Sequence, residues 1–149
     1  MARGIKLNLK GFEKTLHQLQ EAGKDAEKAA AQAIRESAEV FEQELKSECA
    51  ASKVPASISS EIRTKVTQDG QGRYVAEVGW ELGPYRPNDP SEGYKAVFLN
   101  YGTPKRQAKA GRNRGRIEAR GFIGRAKKKA RTKVKRIQKR VLEEALGEG

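Results

Sequence analysis

Two apolar stripes with helical spacing, one in each half of the chain, constrain the fold most. The first stripe comprises Ala26, Ala30, Ala33, Ile34, Ala38, Phe41, Leu45 and Cys49. The second stripe comprises Phe122, Ala126, Ala130, Val134, Ile137, Val141 and Ala145. Because residues three or four positions apart share one side of an α-helix, each stripe predicts a long amphipathic helix of about seven turns. The small residues of the first stripe allow another backbone to approach closely.

The charged residues between the apolar positions of the first stripe are expected to point away from the core. They are Lys28, Arg35, Glu36, Glu39, Glu42 and Glu44. Cys49 lies on the apolar stripe itself, so we interpret it as a buried packing residue.

The segments around the first stripe carry other periodicities. Residues 1–10 alternate weakly between apolar and polar, which predicts a short strand. Residues 12–19 have the apolar spacing of a helix, which Gly23 then interrupts. Residues 61–67 and 73–80 alternate on either side of a glycine-containing turn, which is typical of a β-hairpin. Trp80, at the end of the second run, is expected to be a core or interface anchor.

These elements together predict an α+β fold. It has a long N-terminal amphipathic helix, a small antiparallel β-sheet with a hairpin, and a long basic C-terminal helix. A chain of 149 residues fits a single domain over 1–149. Residues 81–93 hold three of the five prolines, and residues 104–120 offer almost nothing apolar to bury. We expect both segments to be flexible in the unassembled protein.

Charge is distributed unevenly along the chain. Residues 1–93 hold 13 Lys and Arg against 15 Asp and Glu, a net charge of −2. Residues 94–149 hold 18 Lys and Arg against four Glu, a net charge of +14. Such asymmetry is typical of a surface for a polyanion or an acidic partner, although a long solvated helix is the simpler alternative.

The basic residues of the segment before the last helix are the sequence's candidates for contact with DNA or an acidic partner. They are Lys105, Arg106, Lys109, Arg112, Arg114, Arg116 and Arg120. Aromatic residues are scarce there, so stacking on single-stranded bases is not expected. Any nucleic-acid contact should therefore be to the backbone, without sequence preference.

The composition argues against an enzyme. A single Cys and a single His cannot form a disulfide framework or a Cys/His metal cluster, and His17 sits in a helical pattern away from the glycine-rich loops. Phosphate-binding glycine motifs and metalloprotease motifs are missing as well. We therefore expect no catalytic residue, no cofactor and no metal. No apolar run is long enough for a membrane span or a signal peptide, so we expect a protein of a reducing cytoplasm.

Two short motifs resemble the family of tailed-phage neck and tail-completion proteins, the tail components of siphophages. The first motif comprises Tyr94, Phe98, Asn100, Tyr101, Gly102 and Thr103. The second comprises Ala119, Arg120, Gly121, Phe122, Ile123 and Ala126, where the last helix begins. The chain departs from the family at Asn100, where an acid is common, and near Pro55, where a glycine of the family pattern is lost.

The resemblance implies a structural virion protein of the phage neck. Such a protein joins head to tail and completes the upper end of the tail, as part of an oligomeric ring, such as a hexamer, around the DNA channel. The implied partners are copies of itself, head-closure or adaptor proteins, tail-terminator or tail-tube proteins, and the packaged DNA, with no membrane. The implied location is the virion, with assembly in the host cytoplasm. Candidate subunit-interface or structural-corner residues are Trp80, Tyr101, Gly102, Thr103 and Phe122.

A second hypothesis starts from the charge alone. A net charge of +14 in residues 94–149 would also suit a nonspecific nucleic-acid-binding protein associated with the ribosome or the nucleoid.

Overall fold

The computed structural model describes residues 2–84, 86, 88, 90–102, 106–107, 113–115 and 118–147. The helices are α1 (Glu13–Glu21), α2 (Ala26–Ala51), α3 (Ala56–Ser59), α4 (Glu92–Tyr101) and α5 (Phe122–Gly147). The strands are β1 (Ala2–Leu7), β2 (Arg63–Gln68), β3 (Tyr74–Glu81), β4 (Arg106–Gln107) and β5 (Asn113–Gly115). These bounds confirm the predicted α+β class, with its long helices near both ends and its hairpin between them.

The two long helices pack against each other in antiparallel orientation. Glu48 near the end of α2 contacts Arg125 near the start of α5, and Glu36 contacts Arg140 towards the other end. Both predicted apolar stripes are largely buried at this interface and against the sheet. Alanines on both helices keep the side chains between them small, which permits a short distance between the helix axes.

A three-stranded antiparallel sheet with the order β1-β3-β2 covers another side of α2. The hairpin turn between β2 and β3 is held by Asp69, whose Oδ1 accepts the backbone N–H groups of Gln71 and Arg73 at 2.9 and 3.0 Å. These hydrogen bonds lower the pKa of Asp69, with the Arg73 N–H as the main cause. Strand β1 adds to the free edge of β3, pairing Ile5 with Val78. The predicted hairpin therefore supplies two of the three strands of this sheet, with β3 at its centre.

Three segments differ in detail from the sequence analysis. Residues 56–59 form the single turn α3 and the aromatic segment before Gly102 forms the helix α4, and the sequence analysis assigned no helix to either segment. Within residues 104–120, expected to be irregular, β4 pairs with β5 as a short antiparallel ladder. Backbone hydrogen bonds alone can hold such a ladder, so the pattern of apolar and polar side chains does not predict it. The expected flexibility of 81–93 and 104–120 falls partly on residues outside the described ones and stays a prediction.

Gly93 allows the start of α4 to pack directly on the end of β3. A Cβ atom at this position would lie 2.5 Å from the Glu81 carbonyl oxygen and 3.0 Å from Leu82 Cδ2. We predict that Gly93→Ala lowers the free energy of unfolding by about 1–2 kcal/mol, because the backbone has to move to accept the methyl group. The matched control is Gly124→Ala in α5, where a Cβ atom would meet no heavy atom within 4 Å.

The control should stabilise the protein by up to about 1 kcal/mol, since alanine favours the helix over glycine. Urea denaturation followed by far-UV circular dichroism measures both changes. Shifts of the same sign for the two variants would contradict the close packing of α4 on β3.

Candidate interaction surfaces

The described residues offer little for catalysis. None of their His, Cys, Asp and Glu side chains form a group that could hold a metal ion. Burial raises the pKa of the Cys49 thiol to about 11, so it is protonated at neutral pH. His17 lies on the surface of α1, where its Nε2 is 2.8 Å from the Glu21 carboxylate. Among the described helices, none combines the length and the apolar character that a membrane span requires.

Two of the five candidate corner residues pack inside the chain. Trp80 is 1% exposed, and its indole Nε1 donates a hydrogen bond of 2.8 Å to the carbonyl oxygen of Ile58. Phe122 is fully buried and meets the Trp80 ring edge-on, with 6.0 Å between the ring centroids. These two rings tie the end of β3 to the start of α5.

Asn100 links α4 to the first turn of α5. Its side-chain Oδ1 accepts the backbone N–H of Ile123 at 2.9 Å, and its carbonyl oxygen accepts the N–H of Gly121 at 3.0 Å. Asn100 therefore satisfies an unpaired donor at a helix start, as an N-cap residue does, although it comes from another element. A carboxylate at this position could accept the same bond and would interact favourably with the helix dipole. The sequence analysis missed this role.

Gly102 and Tyr101 end α4 at the surface. Gly102 has a φ of 77°, which glycine adopts without strain, and its N–H closes the helix by donating to the Phe98 carbonyl oxygen at 2.8 Å. Tyr101 is 62% exposed and is the large hydrophobic side chain that stands out to solvent among the described residues. Thr103 lies outside the described residues. Tyr101 is thus the candidate that the fold leaves open to contact another molecule.

Arg120 is the one member of the predicted basic cluster whose side chain is described. Its Nη1 donates to the carbonyl oxygens of Ser52 and Lys53, each at 3.2 Å, just after the end of α2. A cation is favourable there because helix C-termini carry partial negative charge. Arg106 and Arg114 lie in β4 and β5, with only their backbones described. Lys105, Lys109, Arg112 and Arg116 lie outside the described residues.

Acidic residues of α2 pair with one row of cations on α5, which we call the inner row: Arg125, Lys129, Lys133 and Arg140. Glu48 is 3% exposed and contacts both Arg125 Nε, at 3.0 Å, and Lys129 Nζ. Hydrogen bonds from Lys129 and then Arg125 lower the pKa of the Glu48 carboxyl. Glu44 pairs with Lys133. Three α2 carboxylates therefore offset most of the positive charge of the inner row.

This pairing corrects the expected placement of two α2 acids. Glu36 and Glu44 were expected on the face opposite the core, but they lie along the contact with α5. Helix α2 packs against both α5 and the sheet, so its buried surface is wider than a single apolar stripe indicates. The acids at the border of that surface face α5. The strongly basic composition of the segment that carries the second stripe was the sequence signal that could have indicated acids of α2 facing α5.

Four of the remaining cations lie together on another face of α5, and we call them the outer row: Lys128, Arg131, Lys135 and Lys139. All four are exposed. Lys127 and Arg136 are exposed as well. Acids are missing from α5 until Glu143 and Glu144, in its last two turns. The outer row is therefore a continuous positive surface.

A groove of about 690 Å³ lies between α1, the start of α2 and the hairpin turn. Its floor includes Leu9, Leu16 and Ala30, while charges of both signs stand around it. The carboxylates of Glu13 and Asp69 in this groove accept nearby backbone N–H groups, which lower the pKa of both. The groove is therefore an apolar recess with charged side chains around it.

The sequence profile of one protein family matches residues 13–102, from α1 to the glycine after α4. The family is described as "Bacteriophage HK97-gp10, putative tail-component". The match covers more than half of the chain and includes the first of the two motifs noted above except Thr103, whereas α5 lies beyond it. Comparison with curated proteins and with solved structures found no significant match.

Proposed function

The chain belongs to the HK97-gp10-like family of bacteriophage tail components, and from that premise we propose that it acts in the neck of the virion. It joins the head to the tail and completes the upper end of the tail, as one subunit of an oligomeric ring around the DNA channel. The coarser role, that of a structural tail component in a phage particle, follows from the family itself. We expect no enzymatic activity from it.

The family match carries this proposal, and the exposure of Tyr101 at the end of the matched region supports it. The matched region includes β2, β3, α2 and α4, and it ends with an exposed aromatic side chain next to the glycine that ends α4. Exposed tyrosines are enriched where proteins contact one another. In this proposal the neighbours are further copies of the chain, a head-closure or adaptor protein, and a tail-terminator or tail-tube protein. Assembly takes place in the host cytoplasm.

A phage carrying a stop codon in this gene tests the role. We expect DNA-filled heads and separate tails in the lysate, counted by negative-stain electron microscopy, and we expect joined particles once the intact gene is supplied in trans. Electron cryo-microscopy of purified virions should then show a closed ring of this chain at the neck. Joined, infectious particles that lack the protein would overturn the proposal.

Tyr101 should matter for assembly but not for folding. We predict that Tyr101→Ala changes the free energy of unfolding by no more than about 0.5 kcal/mol, because the side chain is largely exposed. The same substitution should lower the yield of joined particles at least tenfold, which is the usual effect of removing about 1.4 kcal/mol or more from a contact.

The control for Tyr101→Ala is Gln43→Ala, an exposed residue on α2. It should leave both the thermal melt and the particle yield unchanged. Equal yields from the Tyr101 and Gln43 variants would remove Tyr101 from the interface.

A further inference from the structure

The pairing between α2 and α5 sorts the ten Lys and Arg residues of α5 into two groups. The inner row is bound by Glu36, Glu44 and Glu48 of α2. None of the six other cations, which include the four of the outer row, forms an ion pair within the part of the chain that the structure describes. The positive charge of α5 that α2 does not pair thus includes the outer row, which lies on one face of the helix.

The outer row is regular. Its members are three, four and four residues apart, so they share one face of the helix and extend over about 16 Å at 1.5 Å per residue. Lys135 anchors the middle of this row to the start of α1. Its Nζ donates to the Lys10 carbonyl oxygen at 2.8 Å and lies 5.4 Å from the centre of the Phe12 ring. The exposed side chains of Lys10 and Lys14 extend the positive surface beyond the helix.

A row of like charges such as the outer row destabilises the helix that carries it. Like charges three and four residues apart on a helix repel one another, and no acid on the same face of α5 separates them. The outward face of α2 is different, because Glu39 and Glu42 stand among its cations Lys28, Arg35 and Lys46. A mixed face of that kind suffices for solubility. An unmixed row is suited to a partner that carries closely spaced negative charge.

We propose that the outer row of α5 binds the phosphate backbone of double-stranded DNA without sequence preference. Duplex DNA carries about one negative charge per 1.7 Å of its axis, so several phosphates lie within reach of a row of about 16 Å. Lysine and arginine side chains bind phosphates by charge and hydrogen bonds, and the row includes no aromatic residue that could stack on bases. The contact is therefore with the backbone of a duplex.

Fluorescence anisotropy of the full chain with a labelled 24-base-pair duplex of arbitrary sequence tests this contact, in a series from 25 to 200 mM KCl. The test variant is Lys128→Gln/Arg131→Gln/Lys139→Gln, which leaves Lys135 and its contacts with α1 in place. The matched control is Lys28→Gln/Arg35→Gln/Lys46→Gln, which removes the same charge from the exposed face of α2.

The slope of log K against log salt should become shallower by about 2 to 3 in the test variant, since each lost phosphate contact removes about 0.9 from it. Its affinity at 25 mM KCl should fall by at least about 100-fold, whereas the control should stay within about threefold of the unmodified protein. Far-UV circular dichroism should show the same helix content in all three proteins.

Three results would overturn the proposal: no binding of the unmodified protein to DNA at 25 mM KCl, equal losses in the two triple variants, or competition by polyglutamate as effective as that by unlabelled DNA. The last result would assign the outer row to an acidic protein instead.

The proposal deepens the proposed function and rests on it for the setting in which DNA is met, but the binding assay contains no other virion protein. A chain that fails to restore joined particles yet binds DNA through the outer row would overturn the neck role alone. A chain that restores joined particles but does not bind DNA would overturn the DNA contact alone.

Discussion

Replacing Trp80 with alanine is expected to lower the free energy of unfolding by about 3–5 kcal/mol, the range for removing a large aromatic side chain from a packed core. Trp80 is enclosed between the helix pair and α3, and it contacts the Phe122 ring and the Ile58 carbonyl oxygen. Proteins of this size are commonly stable by only 5–15 kcal/mol, so the variant should be partly unfolded at 37 °C.

Trp80→Phe separates the two contributions of the indole. The phenyl ring retains most of the apolar contact with Phe122 but cannot donate to Ile58, so we expect a smaller loss of about 1–2 kcal/mol. Trp80 is the single tryptophan of the chain, so unfolding of the variants has to be followed by circular dichroism and not by fluorescence. A loss below about 1 kcal/mol for Trp80→Ala would contradict the buried position of the ring.

Replacing Glu48 with glutamine is expected to cost about 2–3 kcal/mol at pH 7. The buried carboxylate accepts from Arg125 and Lys129, and charge-assisted bonds of this kind contribute more than neutral ones. The two cations are about half exposed, so water can solvate them after the substitution and the loss stays below that of a fully buried broken pair. Glu39→Gln, on the exposed side of α2, is the control and should cost less than about 0.5 kcal/mol.

The ion pairs of Glu48 should also make the free energy of unfolding depend on pH. Because the pKa of the folded Glu48 lies below its ordinary value of 4.5, the contribution to stability is complete above about pH 4.5. It is lost as the pH falls through the lowered pKa, since the unfolded chain then binds the proton more readily. Urea denaturation between pH 3 and pH 7 should show a shallower acid decline for Glu48→Gln than for the unmodified protein. Parallel declines would exclude Glu48 as a source of the pH dependence.

Local periodicity was sufficient to predict the two long helices, the first short helix and the three strands of the main sheet, but not α3, α4 or the β4–β5 ladder. Helix α2 and helix α5 begin at the first residue of their predicted stripes, and β2 and β3 lie within a residue or two of the alternating runs. These elements follow from side-chain spacing within one segment, which determines the face that each segment buries. The family resemblance was likewise carried by short runs of residues, and the profile match over residues 13–102 confirms the family.

The charges were predicted less well than the elements. The sequence located the net charge of +14 in residues 94–149 and favoured the segment before α5 as the contact surface. Residue spacing alone did not separate the inner row of α5 from the outer row. That separation depends on Glu36, Glu44 and Glu48, which lie about 90 residues earlier in the chain.

The sequence by itself thus determined the α+β class, the two long helices, the hairpin and the excess of positive charge. Only the tertiary structure decided that β1 pairs with β3, that Asn100 caps α5, and which cations of α5 are paired with acids of α2. The physical reason is the range of the interactions. Helical and strand periodicity arise between neighbours in the chain, whereas strand order, capping from another element and ion pairing depend on how distant segments pack.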